Sequence, residues 1–105
     1  MKTKIINLKD INKEHESIVL AYGHFTTIHA GHIRYLNYAK KLGKKLIVCL
    51  LPDINTGNKK KYAFSQIERA EALSFLSIAD FILLMESEIF DDTVDLIKPE
   101  VIVLG

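Results

Sequence analysis

Four short apolar runs punctuate the chain: SIVLAY at Ser17–Tyr22, KLIVCLL at Lys45–Leu51, FILLM at Phe81–Met85 and VIVL at Val101–Leu104. Each is continuous rather than alternating, the pattern of strands covered on both faces in a parallel sheet. The segments between them read as helices. After the first run, Ile33, Leu36, Ala39 and Leu42 recur every third residue while Arg34, Asn37, Lys40 and Lys41 take the other faces. That spacing describes an amphipathic helix, with Gly43 as its C-terminal stop. Ser65 and Glu68 have the S-x-x-E spacing of a capping box and open a second helix through Ile67, Ala70, Leu73 and Leu76. A third runs from about Ser87 to Ile97, closed by Lys98-Pro99 because the residue before proline disfavours helical geometry. The stretch before residue 17 reads as a short strand at Lys4–Asn7 and a helical turn from Asp10.

Strands alternating with helices require right-handed crossovers and an open, doubly wound α/β sheet, with ligands bound beyond the carboxyl ends of the strands. Two connections fall on that side. One is the loop after the first strand; the other is PDINTGNKKKYAF at Pro52–Phe64, polar, lysine-rich and long for a compact domain.

Composition narrows the reading. At 105 residues, 1–105 is a single domain, and 49% apolar with 26% charged residues is the balance of a folded protein. Fourteen basic against 13 acidic residues leave a net charge of +1, no broad electrostatic footprint for nucleic acid or an anionic membrane. No apolar run reaches the length of a membrane span and the N-terminus lacks a signal-peptide pattern, so the cytoplasm is the default compartment. Cys49, the single cysteine, lies inside an apolar run and reads as a buried small hydrophobe rather than a reactive thiol.

The chemistry concentrates in AYGHFTTIHAGHIRYL, residues 21–36, which holds three of the four histidines, His24, His29 and His32. A strand-to-helix loop presents unpaired backbone N–H groups and the positive end of a helix dipole, a site for phosphate. Gly31, without a β-carbon, leaves room for a triphosphate against the backbone, and His29 and His32 can reach forward from the helix start. Attack on an α-phosphorus builds charge on phosphoryl oxygens and departing pyrophosphate, and fixed donors aimed there lower the barrier. Other readings stay open. His29 and His32 can share a zinc ion, although no third ligand of clear spacing is evident, or they can be satisfied structural histidines. His24 reads equally as a packing or loop-capping residue and as a ligand group. Lys59–Lys61 is by default a solvated loop, and Arg69, beside Glu68 and Glu71, an ordinary surface salt bridge. Asp91, Asp92 and Asp95 read as a water-facing cluster near a helix N-terminus, and Tyr35 and Tyr38 as packing residues.

HAGH at His29–His32, with GHF before it and IRYL after, resembles the HxGH signature of the nucleotidyltransferase superfamily, in particular its cytidylyltransferase-like branch. That branch includes glycerol-3-phosphate cytidylyltransferase and the adenylyl-transferring domain of ADP-heptose synthase. The resemblance extends from Ile18 to Gly105. AKKLGKKLIVCLLPD is similar to the family's second strand, with Asp53 at its end, and IKPEVIVLG to its fourth. YAFSQIERAEALSFLSIAD is similar to the helix in which an arginine, here Arg69, meets ligand phosphate.

The resemblance implies a Rossmann-like, doubly wound parallel sheet in three α/β/α layers. It also implies an enzyme that transfers a cytidylyl or adenylyl group from CTP or ATP to a small phosphorylated alcohol or sugar. Pyrophosphate leaves, Mg²⁺ is carried on the triphosphate, the protein holds no metal of its own, and no covalent intermediate forms. His29 and His32 would be catalytic, steadying the α and β phosphates. Gly23, His24, Phe25, Thr26 and Gly31 would bind nucleotide, and Lys60, Lys61 and Arg69 would meet phosphate of nucleotide or acceptor. A homodimer of the family's kind is compatible with this reading.

Two departures qualify it. The family usually has aspartate where this chain has Thr26. It also follows the fourth strand with a further strand and a helix carrying a serine/threonine-rich nucleotide motif, whereas this sequence stops at Gly105. The expected fold therefore lacks the family's last strand and helix, as part of a longer protein or a C-terminally truncated domain. The alternative function is a nucleotide-binding or regulatory module that kept the fold and lost turnover.

Overall fold

The apolar runs form the interior of one parallel sheet. The computed structural model describes residues 3–11, 17–25, 28–53, 65–87 and 91–104. In chain order it has β1 (Lys4–Asn7), β2 (Ile18–Gly23), α1 (Ala30–Lys40), β3 (Lys45–Leu50), α2 (Gln66–Ser74), β4 (Phe81–Leu84), α3 (Asp91–Ile97) and β5 (Val101–Leu104). Every pairing is parallel and the strand order is β1-β4-β3-β2-β5. The chain steps from β2 outward to β3 and β4, then returns to place β5 on the other side of β2. The order reverses at β2, so the loop after β2 opens at the topological switch point, where doubly wound sheets bind ligands.

Successive residues of the central strands feed opposite layers. Val19, Ala21, Leu46, Val48 and Leu50 pack with Leu36 and Ala39 of α1 and with Ala70 and Leu73 of α2. Ile18, Leu20, Ile47 and Cys49 pack on the other face with Val94 and Ile97 of α3 and with Leu8 and Ile11. Both faces of β2 and β3 are covered, which is why their sequences show no polar alternation. Each large aliphatic side chain sealed in this way contributes about 1.5–3 kcal/mol. Burial also pushes the Cys49 thiol up to about 12, so it packs as an inert hydrophobe. Among the described residues no helix is long and apolar enough to cross a membrane.

Several local readings change. The helical turn near Asp10 is a 3-10 turn over Leu8–Asp10, opened by the Asp10 carboxylate accepting the Asn7 N–H and ended at Ile11, which is extended (φ −66°, ψ 127°). α1 closes at Lys40 and α2 at Ser74, each before the last apolar residue of its periodic pattern; α3 starts at Asp91, with Ser87 in a bend outside it. Gly43 does not provide a left-handed stop, since the C-cap of α1 is Lys41 in right-handed geometry (φ −75°, ψ −13°). Its glycine is required by close approach: a β-carbon there would lie 2.5 Å from the Ser17 carbonyl oxygen and 2.7 Å from Val19 Cγ2. Left-handed residues follow the other two helices, Ser77 after α2 and Lys98 after α3. Tyr38 is 60% exposed and is not a packing residue, because α1 buries only the face of Leu36 and Ala39. Tyr35 does pack, and its hydroxyl donates to the Val103 carbonyl at 2.6 Å, tying α1 to β5. Asp91, Asp92 and Asp95 face solvent as expected.

At the amino end of the sheet, Asp80 joins four elements. Its carboxylate accepts the Leu46 N–H at 2.8 Å and pairs with Lys40 Nζ. Its own N–H donates to Leu46 O at 2.9 Å, and its carbonyl accepts from Lys4 at 3.1 Å. Asp80→Ala strands the Leu46 N–H in the interior and is expected to lower stability by about 2–4 kcal/mol. Gly43→Ala, by overpacking against Ser17 and Val19, should cost about 1–3 kcal/mol. Urea denaturation midpoints check both, and an unchanged midpoint for either would contradict the contact assigned to it.

Candidate active site

β2 leaves the sheet at Gly23 and the chain turns sharply through His24 and Phe25. Phe25 sits at φ 51°, the left-handed region that bulky residues rarely adopt. The turn folds its ring back against the sheet, where it is 6% exposed. Gly23 eases that packing, since a β-carbon there would lie 3.2 Å from Phe25 Cε2, a tight contact that the ring would have to relieve. The Phe25 ring lies 5.2 Å from the His32 ring and stacks at 6.5 Å on Tyr35. Phe25 thus forms the floor under a histidine of the HAGH motif.

The two histidines of HAGH cap α1 reciprocally. His29 is the N-cap, extended at φ −137° and ψ −179°, and its Nδ1 accepts the Gly31 N–H at 3.0 Å. The His29 N–H donates in turn to His32 Nδ1 at 3.3 Å. Imidazoles occupy the places that serine and glutamate take in the usual capping box, and the two rings sit 4.1 Å apart. An Nδ1 that accepts a hydrogen bond carries no proton, so each neutral ring holds its proton on Nε2, on its far edge. The motif therefore offers two N–H donors from a helix N-terminus whose first turn has no acidic residue. Burial, and then the neighbouring His29, hold His32 below the usual histidine value of 6.5, so it is neutral at pH 7. Gly31 has a local explanation as well: a β-carbon would lie 2.8 Å from His29 Cε1. Its glycine leaves room for the capping ring.

α2 closes the site from the other side. Its capping box forms as the sequence predicts, with Ser65 Oγ accepting the Glu68 N–H at 3.3 Å and Glu68 Oε1 accepting the Ser65 N–H at 3.0 Å. In the first turn, Gln66 Nε2 donates to the carbonyls of Leu50 and Met85, both at 2.9 Å, pinning the carboxyl ends of β3 and β4. One turn on, Arg69 is 2% exposed. Its Nη2 pairs with Asp53 Oδ1 at 2.8 Å and its Nη1 donates to the His24 carbonyl at 2.5 Å. Arg69 is therefore not a surface salt bridge to Glu68 or Glu71. It lies on the face of α2 that buries Ala70 and Leu73, and its partners belong to two other loops.

Among the predicted site residues, the structure brings His29, His32, Gly31, Phe25, Gly23, His24 and Arg69 together at the carboxyl ends of β2 and β3. Thr26, Lys60 and Lys61 lie outside the described residues. Gln66 carried no signal in the sequence, since a glutamine in a first turn looks like any solvent-facing residue. Asp53 was visible only as the end of a strand. Among the described residues no group of three or more histidine, cysteine, aspartate or glutamate side chains is placed to hold a metal ion. A separate cavity of about 590 Å³ lies at the carboxyl ends of β1 and β4, lined by residues including Asn7, Lys9, Glu86 and Thr93, and excludes the histidines.

Against known proteins, the chain matches the cytidylyltransferase-like family over residues 20–105. It is 32% identical over 100 residues to the bifunctional protein HldE of Nitratiruptor sp., a match covering 92% of this chain and 22% of that one. It is 41% identical over 88 residues to the FAD synthase of Archaeoglobus profundus, covering 83% of this chain and 56% of that one. The chain thus spans about a fifth of the first relative and somewhat more than half of the second. Among solved structures, the lipopolysaccharide core biosynthesis protein from Thermoplasma volcanium GSS1 aligns with a TM-score of 0.72 and 35% identity, over 81% of this chain and 70% of that one. The family match starts within β2 and takes in the histidine loop, α1, β3, α2 and every later element, all the parts that build the site, and the chain belongs to the cytidylyltransferase-like family.

Proposed function

We propose that this domain catalyses nucleotidyl transfer, moving an adenylyl or cytidylyl group from ATP or CTP to a small phosphorylated alcohol or sugar. The observation that carries the reading is the reciprocal histidine cap, which leaves the Nε2–H edges of both rings as donors at the N-terminus of α1. In the reaction, a phosphate oxygen of the acceptor attacks the α-phosphorus, a new P–O bond forms, and the bond to the β-phosphate breaks with its electron pair leaving on pyrophosphate. A phosphate nucleophile is already anionic, so no general base is required. The work left to the protein is to hold the groups in line and to stabilise charge on the phosphoryl and leaving oxygens. His29 and His32 do this as hydrogen-bond donors.

Mg²⁺ enters with the triphosphate as part of the substrate. Among the described residues both Nδ1 atoms are engaged in the cap and one Asp53 oxygen pairs with Arg69. By the family resemblance, Lys60 and Lys61 are assigned to phosphate neutralisation. Two of the relatives supply clues to substrate. FAD is an adenylyl group joined through a pyrophosphate bond to a flavin phosphate, which favours ATP as donor. Lipopolysaccharide core biosynthesis favours a phosphorylated sugar as acceptor. Dependence on a nucleoside triphosphate suits the cytoplasm.

His29→Ala and His32→Ala should each reduce Mg²⁺-dependent pyrophosphate release by about 10²–10³-fold, with smaller changes in KM, as expected for loss of one transition-state donor. A coupled pyrophosphate assay on the longest form of the gene product, with ATP or CTP and a panel of phosphorylated acceptors, decides this. Release insensitive to both substitutions would eliminate the mechanism. Tight nucleotide binding without any turnover would instead identify a binding module.

The pH behaviour follows from His32. Its folded-state value lies below the unfolded 6.5, so in the window beneath 6.5 the unfolded chain binds more protons and folding stability falls with acidification. In His29→Ala the His32 value should rise partway toward 6.5, since burial, the larger cause, remains. Imidazole titration by NMR tests it, and an unmoved His32 would show that the two rings are not electrostatically coupled. Gly31→Ala should displace the His29 ring and reduce turnover as strongly as His29→Ala does.

A further inference from the structure

We propose that Arg69 is a positioning residue whose buried guanidinium locks the His24 carbonyl to the Asp53 carboxylate and thereby sets the turn that seats Phe25 beneath His32. The clamp itself stands on geometry alone; its consequence for nucleotide rests on the function proposed above.

The Arg69 side chain is 1% exposed, whereas that of its partner Asp53 is 53% exposed. A phosphate approaching this pair from solvent meets the acidic member first. A buried guanidinium needs compensating partners to offset a desolvation cost of several kcal/mol, and here its two terminal nitrogens find them in two different loops. The positive charge is spent on Asp53. What Arg69 offers the site is cancellation of that carboxylate and a fixed geometry.

The geometry is specific. The His24 carbonyl and the Phe25 N–H belong to one peptide plane. Holding that carbonyl fixes the plane from which Phe25 turns into its left-handed conformation, φ 51°. Such a conformation costs a bulky residue about 1–2 kcal/mol and persists only when its surroundings enforce it. The enforced turn places the Phe25 ring 5.2 Å from His32, and His32 in turn accepts the His29 N–H. A continuous set of contacts thus runs from the end of β3 through α2 to the imidazole pair. Only a forked side chain spans two acceptors in this way; a lysine ammonium keeps the charge but lacks the fork.

The test uses the ring ¹⁵N signals of His29 and His32 in the folded protein, which report whether each Nδ1 is a bare acceptor, together with calorimetric titration of MgATP and MgCTP. Asp53 is half exposed, so its substitution opens no core cavity and provides a second variant should Arg69→Lys fold poorly. Arg69→Lys and Asp53→Ala are each expected to shift the His32 Nδ1 signal toward a tautomeric average. Each should also weaken nucleotide binding by about tenfold, with the double variant no worse than either single one. Asp53→Asn, which keeps the acceptor oxygen, should restore the wild-type ring signals. The proposal is overturned if the ring signals stay unchanged in Arg69→Lys and Asp53→Ala. It is equally overturned if Asp53→Ala tightens nucleotide binding while Arg69→Lys weakens it, the result expected of a direct phosphate contact. Absence of nucleotide binding in the wild-type chain would count against the proposed function and leave the ring test intact.

Discussion

Val19, Leu20 and Ala21, like Leu46, Ile47 and Val48 beside them, are sealed from solvent on both faces of the sheet, and most of the architecture follows from that double burial. Six parallel register positions join β2 to β3. Strands so apolar can stand only if helices cover each side, and right-handed crossovers then send α1 and α2 to one face and α3 to the other. The strand order reverses at β2. Its carboxyl end is consequently left open, with the N-terminus of α1 pointing at the gap.

That opening is shaped by residues that cap and pack the backbone around it. The imidazoles of His29 and His32 satisfy backbone donors at the start of α1, and the same hydrogen bonds place their remaining protons on Nε2. Capping a helix with histidine rather than serine gives up nothing in satisfied N–H groups and gains a second donor edge on each ring. The glycines at 23 and 31 ease the packing, one beside the Phe25 ring and the other beside the His29 ring.

Two ion pairs mark the two ends of the sheet and behave differently. Lys40 and Asp80 tie α1 to the amino ends, with the lysine partly in water and the carboxylate buried. Arg69 and Asp53 tie α2 to the carboxyl ends, with the cation buried and the carboxylate half in water. In each pair the buried member also bonds backbone, Leu46 N–H in one case and His24 carbonyl in the other. Each ionic contact therefore orders main chain, which a surface pair of similar length does not do.

The parallel α/β fold, the five strands and three helices of the described residues, and the Ser65–Glu68 capping box were legible along the chain, because burial on two faces and helix capping are written into runs of a few residues. HAGH was legible for the same reason, its histidines being three residues apart at a helix start. What escaped is what depends on residues distant in sequence. Gly43 is glycine because Ser17 and Val19 lie against it, Tyr38 is exposed because α1 turns another face to the sheet, and Arg69 is buried because Asp53 and His24 meet it there. Periodicity and capping act locally and so reside in the sequence, whereas the partner of a buried charge or the neighbour of a glycine exists only once crossovers bring separate loops to the same end of the sheet.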